Sequence, residues 1–260
     1  MKAILITGAA AFIGSNLAKR ILCREQGLRV IGIDSMTNYY DVDLKENSLW
    51  ELEGSEFFTF VRGSIADKPL VGEVFLKHQP HIVVNMAMHA YSKLYGIPST
   101  GLRFFTVYGP AGRPDMAYFK FTNKMVNGEK IQIYNYGDMK RDFTYIDDIV
   151  TGVMKVMDRP PVENSRGVRY KVYNIGNHKP EDLLFFVETL EQCLIKEGVI
   201  EQPAEKEFLP MQPGDVYQTY ADTKELEQDF GFCPDTPLKE GLARFAKWYR
   251  EYYMGKKGRV

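Results

Sequence analysis

The segment Gly8-Ala9-Ala10-Ala11-Phe12-Ile13-Gly14, followed by Asp34 20 residues after its last glycine, contains the residue types that seat a dinucleotide. Glycines in a turn let the backbone approach a pyrophosphate. The unpaired N–H groups that open a following helix add a partial positive charge of about half a unit. A carboxylate at Asp34 can accept hydrogen bonds from the adenosine ribose hydroxyls. Its charge would repel a 2′-phosphate, so NAD is favoured over NADP. Ala11 stands where the usual pattern has its middle glycine, and a methyl where backbone meets phosphate opposes tight binding. Taken alone, two glycines also fit an αβ unit that needs only a tight turn.

A second group of polar residues lies further along the chain. Thr106 and Arg113 fall in FFTVYGPAGRPDM, a turn-rich stretch after the strand-like run Pro98–Arg103. An arginine fork can bind a carboxylate through two hydrogen bonds. The bland reading is a solvated loop arginine and a satisfied β residue. Arg141, in KRDF, suits phosphate oxygens, or else pairs with Asp142 or Asp147. Asp147 and Asp148 are adjacent at a helix start, where side chains diverge and capping is the better reading, so no metal site is expected.

The elements around these residues follow from hydrophobic spacing. Lys2–Thr7 (KAILIT) reads as a strand buried on both faces. Ser15–Arg24 reads as an amphipathic helix stopped by Gly27, and Leu28–Ile33 as the next strand. That order is strand, turn, helix, strand and acid, the dinucleotide-binding arrangement. Residues 117–127 have helical spacing, 130–134 (KIQIY) alternate as a strand, 170–177 read as a strand and 181–197 as a helix. Leu238, Leu242, Phe245 and Tyr249 make a core-facing stripe on a final helix.

Composition sets outer bounds. The chain has 260 residues, 45% hydrophobic and 26% charged, as in an ordinary globular protein. A net charge of −1 gives no basic field for nucleic acid or an anionic membrane. Three scattered cysteines suggest neither a disulfide framework nor a metal knuckle. No run approaches the roughly 20 apolar residues that span a bilayer, and MKAILITG is too short an apolar start for a signal peptide. A cytoplasmic location is expected.

TGAAAFIGSNLAKRIL, IGIDSMTNYYD, TGLRFFTVYGPAGRPDMAYFKFT and GDMKRDFTYIDDIVTGV together resemble the extended short-chain dehydrogenase/reductase family. Within it the chain is most similar to the UDP-glucuronate 4-epimerases of bacterial surface-polysaccharide synthesis, along almost its whole length. The resemblance implies an α/β fold, a Rossmann-like doubly wound parallel sheet with a smaller α/β C-terminal domain. NAD binding is expected within residues 1–110 and UDP-sugar binding within 111–260, with about 142–177 returning to the first domain. It implies NAD as cofactor, held by Gly8, Ala11, Phe12, Ile13, Gly14 and Asp34, with Ser64 and Ile65 near the adenine. Ser64 stands where the family has an aspartate, and Ala111 replaces the tryptophan usual in that turn. It implies UDP-glucuronate as partner, with Thr106 and Arg113 on its carboxylate, Gln132, Ile133 and Tyr134 on uracil, and Arg141 on the phosphates. Asp215 is implied near the nucleotide ribose or a phosphate-binding arginine.

The family's chemistry is reversible oxidation at sugar C4. A tyrosine takes the hydroxyl proton, hydride passes to NAD, and the keto sugar turns before hydride returns to its other face. That tyrosine and its lysine share a helix face at Tyr-x-x-x-Lys spacing. No such pair is expected in this chain. Tyr91-Ser92-Lys93 comes closest, but positions i and i+2 point apart, and Tyr91 and Tyr95 share a face without a lysine. The segment NMAMHAYSKLYGIP joins the end of strand four directly to what resembles the end of the catalytic helix. On the order of 60–80 residues are missing there, with strand five and the catalytic pair. The expectation is therefore a chain with no catalytic residues that is inactive or nearly so. The alternatives are a non-catalytic binding or assembly partner, or an intact epimerase whose sequence lacks a stretch here. A homodimer is implied, although the dimer helix survives only as Tyr91–Gly96. Residues 87–98 could still carry a crossover of roughly a dozen residues and let the flanking strands pair. Otherwise a slot with unpaired strand edges remains.

Overall fold

The computed structural model describes residues 2–24, 27–39, 41–84, 97–164 and 167–255. Two compact units divide the chain, Met1–Leu102 with Val150–Tyr173, and Arg103–Ile149 with Asn174–Val260.

In the first unit the chain alternates strand and helix. The order is β1 (Lys2–Thr7), α1 (Phe12–Arg24), β2 (Leu28–Asp34), α2 (Val42–Glu53), β3 (Phe58–Arg62), α3 (Lys68–His78) and β4 (Ile82–Val84). The sheet is parallel throughout, in the order β3-β2-β1-β4. Ile4 pairs with Val30 on one side and Ile82 on the other, which fixes the register. Parallel strands covered on both faces need apolar residues at successive positions. Ile4, Leu5, Ile6, Val30, Ile31 and Ile33 are accordingly buried. Ala3, Leu5, Ile31 and Ile33 form one core face with Val74 of α3, bordered by Val61, Leu70 and Val83. Side chains alternate along a strand, which leaves Ile4, Ile6 and Val30 for the opposite face. There α1 buries Leu17, Ala18 and Ile21. Asp67 caps α3 by accepting the Leu70 N–H at 3.1 Å.

Among the described residues β4 pairs with β1 only. The direct pairing that the short 87–98 connection could have allowed is not what forms. The next strand, β5 (Ser99–Phe104), lies in a separate two-stranded sheet with β9 (Tyr170–Ile175). Residues 85–96, which include Tyr91, Ser92, Lys93 and Tyr95, lie outside the described residues.

The second unit contains β6 (Thr106–Tyr108), α4 (Ala117–Val126), β7 (Ile131–Ile133), β8 (Lys140–Tyr145), β10 (Pro180–Asp182), α6 (Leu183–Lys196), β11 (Lys206–Phe208), α7 (Lys224–Phe230) and α8 (Leu238–Tyr249). Helix α5 (Ile146–Met157) begins here and continues into the first unit. One small sheet has the order β10-β8-β6, and β11 pairs with β7 in another. The Phe143 and Phe186 rings stack with centroids 4.0 Å apart. Tyr118, Phe119 and Phe245 meet edge to face at 4.9 and 5.7 Å. The expected stripe on α8 is buried in full. Among the described residues no helix is long and apolar enough to cross a membrane.

Candidate functional site

At the carboxyl ends of β1, β2 and β3 the chain makes three adjoining turns. Gly8 takes a left-handed backbone, φ +67°, that an L side chain rarely adopts. Its N–H donates to the Ile33 carbonyl at 2.8 Å, tying the first turn to β2. The Ala11 N–H donates to the Gly8 carbonyl at 3.0 Å, and the Ala11 carbonyl accepts the Ser15 N–H at 2.8 Å. The turn therefore runs straight into α1, with Phe12, Ile13 and Gly14 in its first turn. A β-carbon on Gly14 would collide with the Gly8 carbonyl oxygen, so glycine is required for this approach of helix to strand.

Asp34 is buried at the end of β2. Its Oδ2 accepts the Ala10 N–H at 3.2 Å and its Oδ1 accepts the Met36 N–H at 2.8 Å. Met36 adopts φ +51°, a left-handed conformation uncommon for its type, which turns that N–H onto the acid. The Asp34 carbonyl accepts the Gly63 N–H at 2.9 Å, and this places Ser64 and Ile65 beside the acid. Ser64 is exposed and its Oγ accepts the Ala66 N–H, while Ile65 is 52% exposed. The structure thus gathers every cofactor-side residue expected from sequence at one edge of the first unit. Sequence reasoning missed Lys45 on α2. It is only 4% exposed and donates to the Thr37 carbonyl at 2.8 Å, bracing the loop beyond Asp34. A lysine on an amphipathic helix reads as solvated, so pattern gives no signal for it.

In the second unit, Arg141 of β8 and Asp215 form an ion pair at 2.8 Å. The guanidinium also donates to the carbonyls of Lys140 and Tyr217, at 3.0 and 3.2 Å. The alternative partners considered for Arg141, Asp142 and Asp147, are engaged elsewhere. Asp147 pairs with Arg244 at 3.2 Å. Asp142 is fully buried and accepts the N–H groups of Asn177, His178 and Ala221 at 2.8, 3.2 and 2.9 Å. Asp148 accepts both the N–H and the hydroxyl of Thr236, at 3.1 and 3.0 Å. Burial raises the Asp148 carboxyl above the ordinary range. Among the described residues no group of His, Cys, Asp and Glu could hold a metal ion.

Thr106 opens β6, paired with Phe143. Seven residues on, Arg113 lies on a loop whose Gly109 has φ +146° and whose Gly112 has no room for a β-carbon beside the Tyr118 hydroxyl. The Arg113 fork closes on Asp115, Nε to Oδ1 at 3.0 Å and Nη2 to Oδ2 at 2.5 Å. That hydrogen-bonded guanidinium holds the Asp115 carboxyl below the usual carboxylate range. Gln132 of β7 contacts Lys124, Glu207 and the Tyr134 hydroxyl at 3.4, 3.3 and 3.5 Å. The Ile133 side chain is fully buried and its carbonyl accepts the Leu209 N–H at 2.9 Å. Ile133 is therefore a core residue that places its neighbours, whereas Gln132 and Tyr134 are half-buried.

Tyrosine and lysine do occur four apart at 136/140, 220/224, 252/256 and 253/257. Tyr136 is in a 3₁₀ turn with Lys140 on β8, and Tyr220 precedes α7, so neither pair shares a helix face. Tyr252 and Tyr253 are helical, as the spacing of 237–253 predicts, but Lys256 and Lys257 lie outside the described residues.

Comparison with known proteins follows the same lines. The profile described as NAD dependent epimerase/dehydratase family matches residues 4–90 and 87–176, two pieces that meet at 87–90. Protein CapI of Staphylococcus aureus is 37% identical over 339 aligned positions, covering 96% of this chain and 99% of CapI. Against 260 residues, an alignment of 339 positions leaves at least 79 with no counterpart in this chain. A probable UDP-glucuronate 4-epimerase of Rhizobium meliloti is 32% identical, covering 96% of this chain and 97% of the relative. The crystal structure of UDP-glucuronic acid 4-epimerase from Bacillus cereus, in complex with UDP-glucuronic acid and NAD, superposes with a TM-score of 0.80 at 24% identity. It covers 96% of this chain and all of that one, and speaks for the fold.

Proposed function

We infer, because the chain belongs to the NAD dependent epimerase/dehydratase family, that it is a UDP-uronate-binding relative of the UDP-glucuronate 4-epimerases. We further infer that this chain of 260 residues does not itself interconvert UDP-glucuronate and UDP-galacturonate. One observation carries the second part, the position of the break. The two profile segments abut at 87–90, and at least 79 aligned positions of the Staphylococcus relative lack a counterpart here. The sequence resemblance puts the proton-transferring tyrosine and lysine in that lost stretch.

What the chain retains suits ligand binding. The residues fit NAD, which when bound supplies a hydride acceptor. Gly8 leaves the backbone open for the pyrophosphate, and Gly14 lets the start of α1 pack close behind it. Buried Asp34 would hold the ribose, and Ser64 and Ile65 would line the adenine side. The Ala11 methyl would weaken that grip. Arg141 with Asp215 would meet the diphosphate and uridine, Gln132 and Tyr134 the uracil, and Thr106 with Arg113 the sugar carboxylate. Among the described residues this set holds no tyrosine and lysine paired on one helix face to take the proton from a sugar 4-hydroxyl, so a bound nucleotide sugar is expected to keep its configuration. The protein then acts in the cytoplasm as a nucleotide-sugar binder or as an assembly partner of a full-length homologue in surface-polysaccharide supply.

Two measurements test this. UDP-glucuronate is incubated with NAD and the protein at single-turnover concentration, and the sugar anomeric signals are followed by NMR. No change is expected, and appearance of UDP-galacturonate would overturn the inference. The clean meeting of the profile segments also suits a longer enzyme whose sequence lacks an internal stretch here. An intact mass well above 29.9 kDa would establish that reading.

A further inference from the structure

We propose that Asp115 is an internal competitor for Arg113, standing where an acidic ligand's carboxylate binds and so lowering the site's preference for acidic over neutral sugars. The proposal rests on the UDP-uronate reading and deepens it.

The geometry of the pair carries the argument. Both carboxylate oxygens of Asp115 engage one edge of the guanidinium, through Nε at 3.0 Å and Nη2 at 2.5 Å. That is how an arginine fork receives any carboxylate, and one edge accepts one carboxylate at a time. A uronate approaching Nε and Nη2 must displace Asp115. A neutral hexose has no group to make the exchange. The two side chains are 36% and 43% exposed, so a solute can reach them.

The backbone makes the exchange local. The Met116 N–H donates to the Arg113 carbonyl at 3.1 Å, closing a tight turn around the pair. Gly112 is pressed against the Tyr118 hydroxyl, which itself bonds the Gly109 carbonyl at 3.4 Å. With the loop pinned at both points, rotation of the Asp115 side chain withdraws its carboxylate from that edge of Arg113 without moving the backbone. The displaced carboxylate also has somewhere to go. Asp115 directly precedes Met116, the N-cap of α4, which receives no side-chain cap hydrogen bond. The helix start is partially positive and its first N–H groups lack intrahelical partners, so an anion is favoured beside it. Ligand binding thus exchanges one carboxylate for another on Arg113 and moves the first to a second favourable position.

The test is calorimetric titration of wild type, Asp115→Asn and Asp115→Ala with UDP-glucuronate, UDP-glucose and UDP. Circular dichroism confirms that each sample is folded. Both variants should bind UDP-glucuronate about fivefold more tightly, the scale of one partly exposed ion pair. Their affinities for UDP-glucose and UDP should stay within about twofold of wild type. If UDP-glucuronate binds but the variants hold it equally or more weakly, Asp115 orients Arg113 instead of competing for it, and the proposal falls alone. If folded protein binds none of the three nucleotides, the nucleotide-sugar reading falls and takes the proposal with it.

Discussion

Gly14 and Gly8 are in contact across the first turn, so close that no β-carbon fits between Gly14 and the Gly8 carbonyl oxygen. The helix start is thereby pressed onto the end of β1, and the obstructing atom is backbone, which cannot rotate away. Gly14→Ala should therefore shift α1 and destabilise the first unit by about 1–3 kcal/mol, the range for overpacking in a packed site. Thermal unfolding would show the loss. A melting temperature within a degree or so of wild type would mean that the turn can relax.

Ala11 allows the reverse experiment. Its amide and carbonyl already make the bonds that lead into α1. Replacing it with glycine removes a methyl from the expected path of the pyrophosphate and leaves those bonds in place. Ala11→Gly should tighten NAD binding severalfold, up to about tenfold, while stability falls by no more than about 1 kcal/mol. Titration with NAD measures the first effect and denaturant unfolding the second. Unchanged affinity would show that the methyl does not meet the cofactor.

The Tyr108 hydroxyl is buried against Gly241 of α8 and has no hydrogen-bond partner among the described residues. Desolvation drives its ionisation far above the ordinary phenol range. A buried hydroxyl without a partner costs about 1–3 kcal/mol. Tyr108→Phe keeps the ring, with its edge contacts to Tyr118, Phe143 and Tyr145, and removes that cost. The variant should gain roughly 1 kcal/mol in denaturant unfolding. Destabilisation instead would reveal a partner such as a buried water.

Asp148 gives a pH test. Burial raises its carboxyl in the folded state, so the folded protein keeps this proton to a higher pH than the unfolded chain does. Stability due to that proton is complete below the unfolded carboxyl range and is lost as pH rises through the folded value. A side-chain amide at this position would not titrate; its oxygen can still accept the Thr236 N–H, and its NH2 can donate to the Thr236 hydroxyl oxygen in place of the bond that Oδ1 accepts. Asp148→Asn should therefore gain on wild type as pH rises from about 3 to about 7, ending up to about 1 kcal/mol more stable. Thermal melts across that interval decide it, and a wild type that gains on the variant with rising pH would refute the prediction.

How far the sequence was readable depends on what kind of contact is involved. Strands β1, β2 and β4 were legible because parallel strands need near-continuous aliphatic runs, as in KAILIT and VIGID. The gathering of Gly8, Ala11, Gly14 and Asp34 at one edge was legible because a strand, turn and helix fix their positions through local bonds, as between Gly8, Ala11 and Ser15. Pairings across long sequence separations were not. Nothing in KRDF itself tells which aspartate closes on Arg141; the partner, Asp215, is 74 residues away, and only the family resemblance put it near the nucleotide ribose or a phosphate-binding arginine. Asp115 was overlooked beside Arg113 because a charged pair two residues apart on a loop looks like solvated surface. The π-helical turn Arg250–Met254 continued α8 past the point where the apolar stripe ended.

Asp142 bears on the order in which this protein is made. Its carboxylate collects N–H groups from residues 177, 178 and 221, which are 35, 36 and 79 positions further along the chain. While the ribosome is still short of Ala221, that buried charge has no complete shell of donors. The second unit must therefore wait, held loose, until almost all of the polypeptide has emerged. The strands of the β1–β4 sheet all lie in the first third of the chain, although the first unit also takes Val150–Tyr173. Synthesis thus presents a paired parallel sheet well before the second unit can close, and any chaperone that attends this chain should be engaged late.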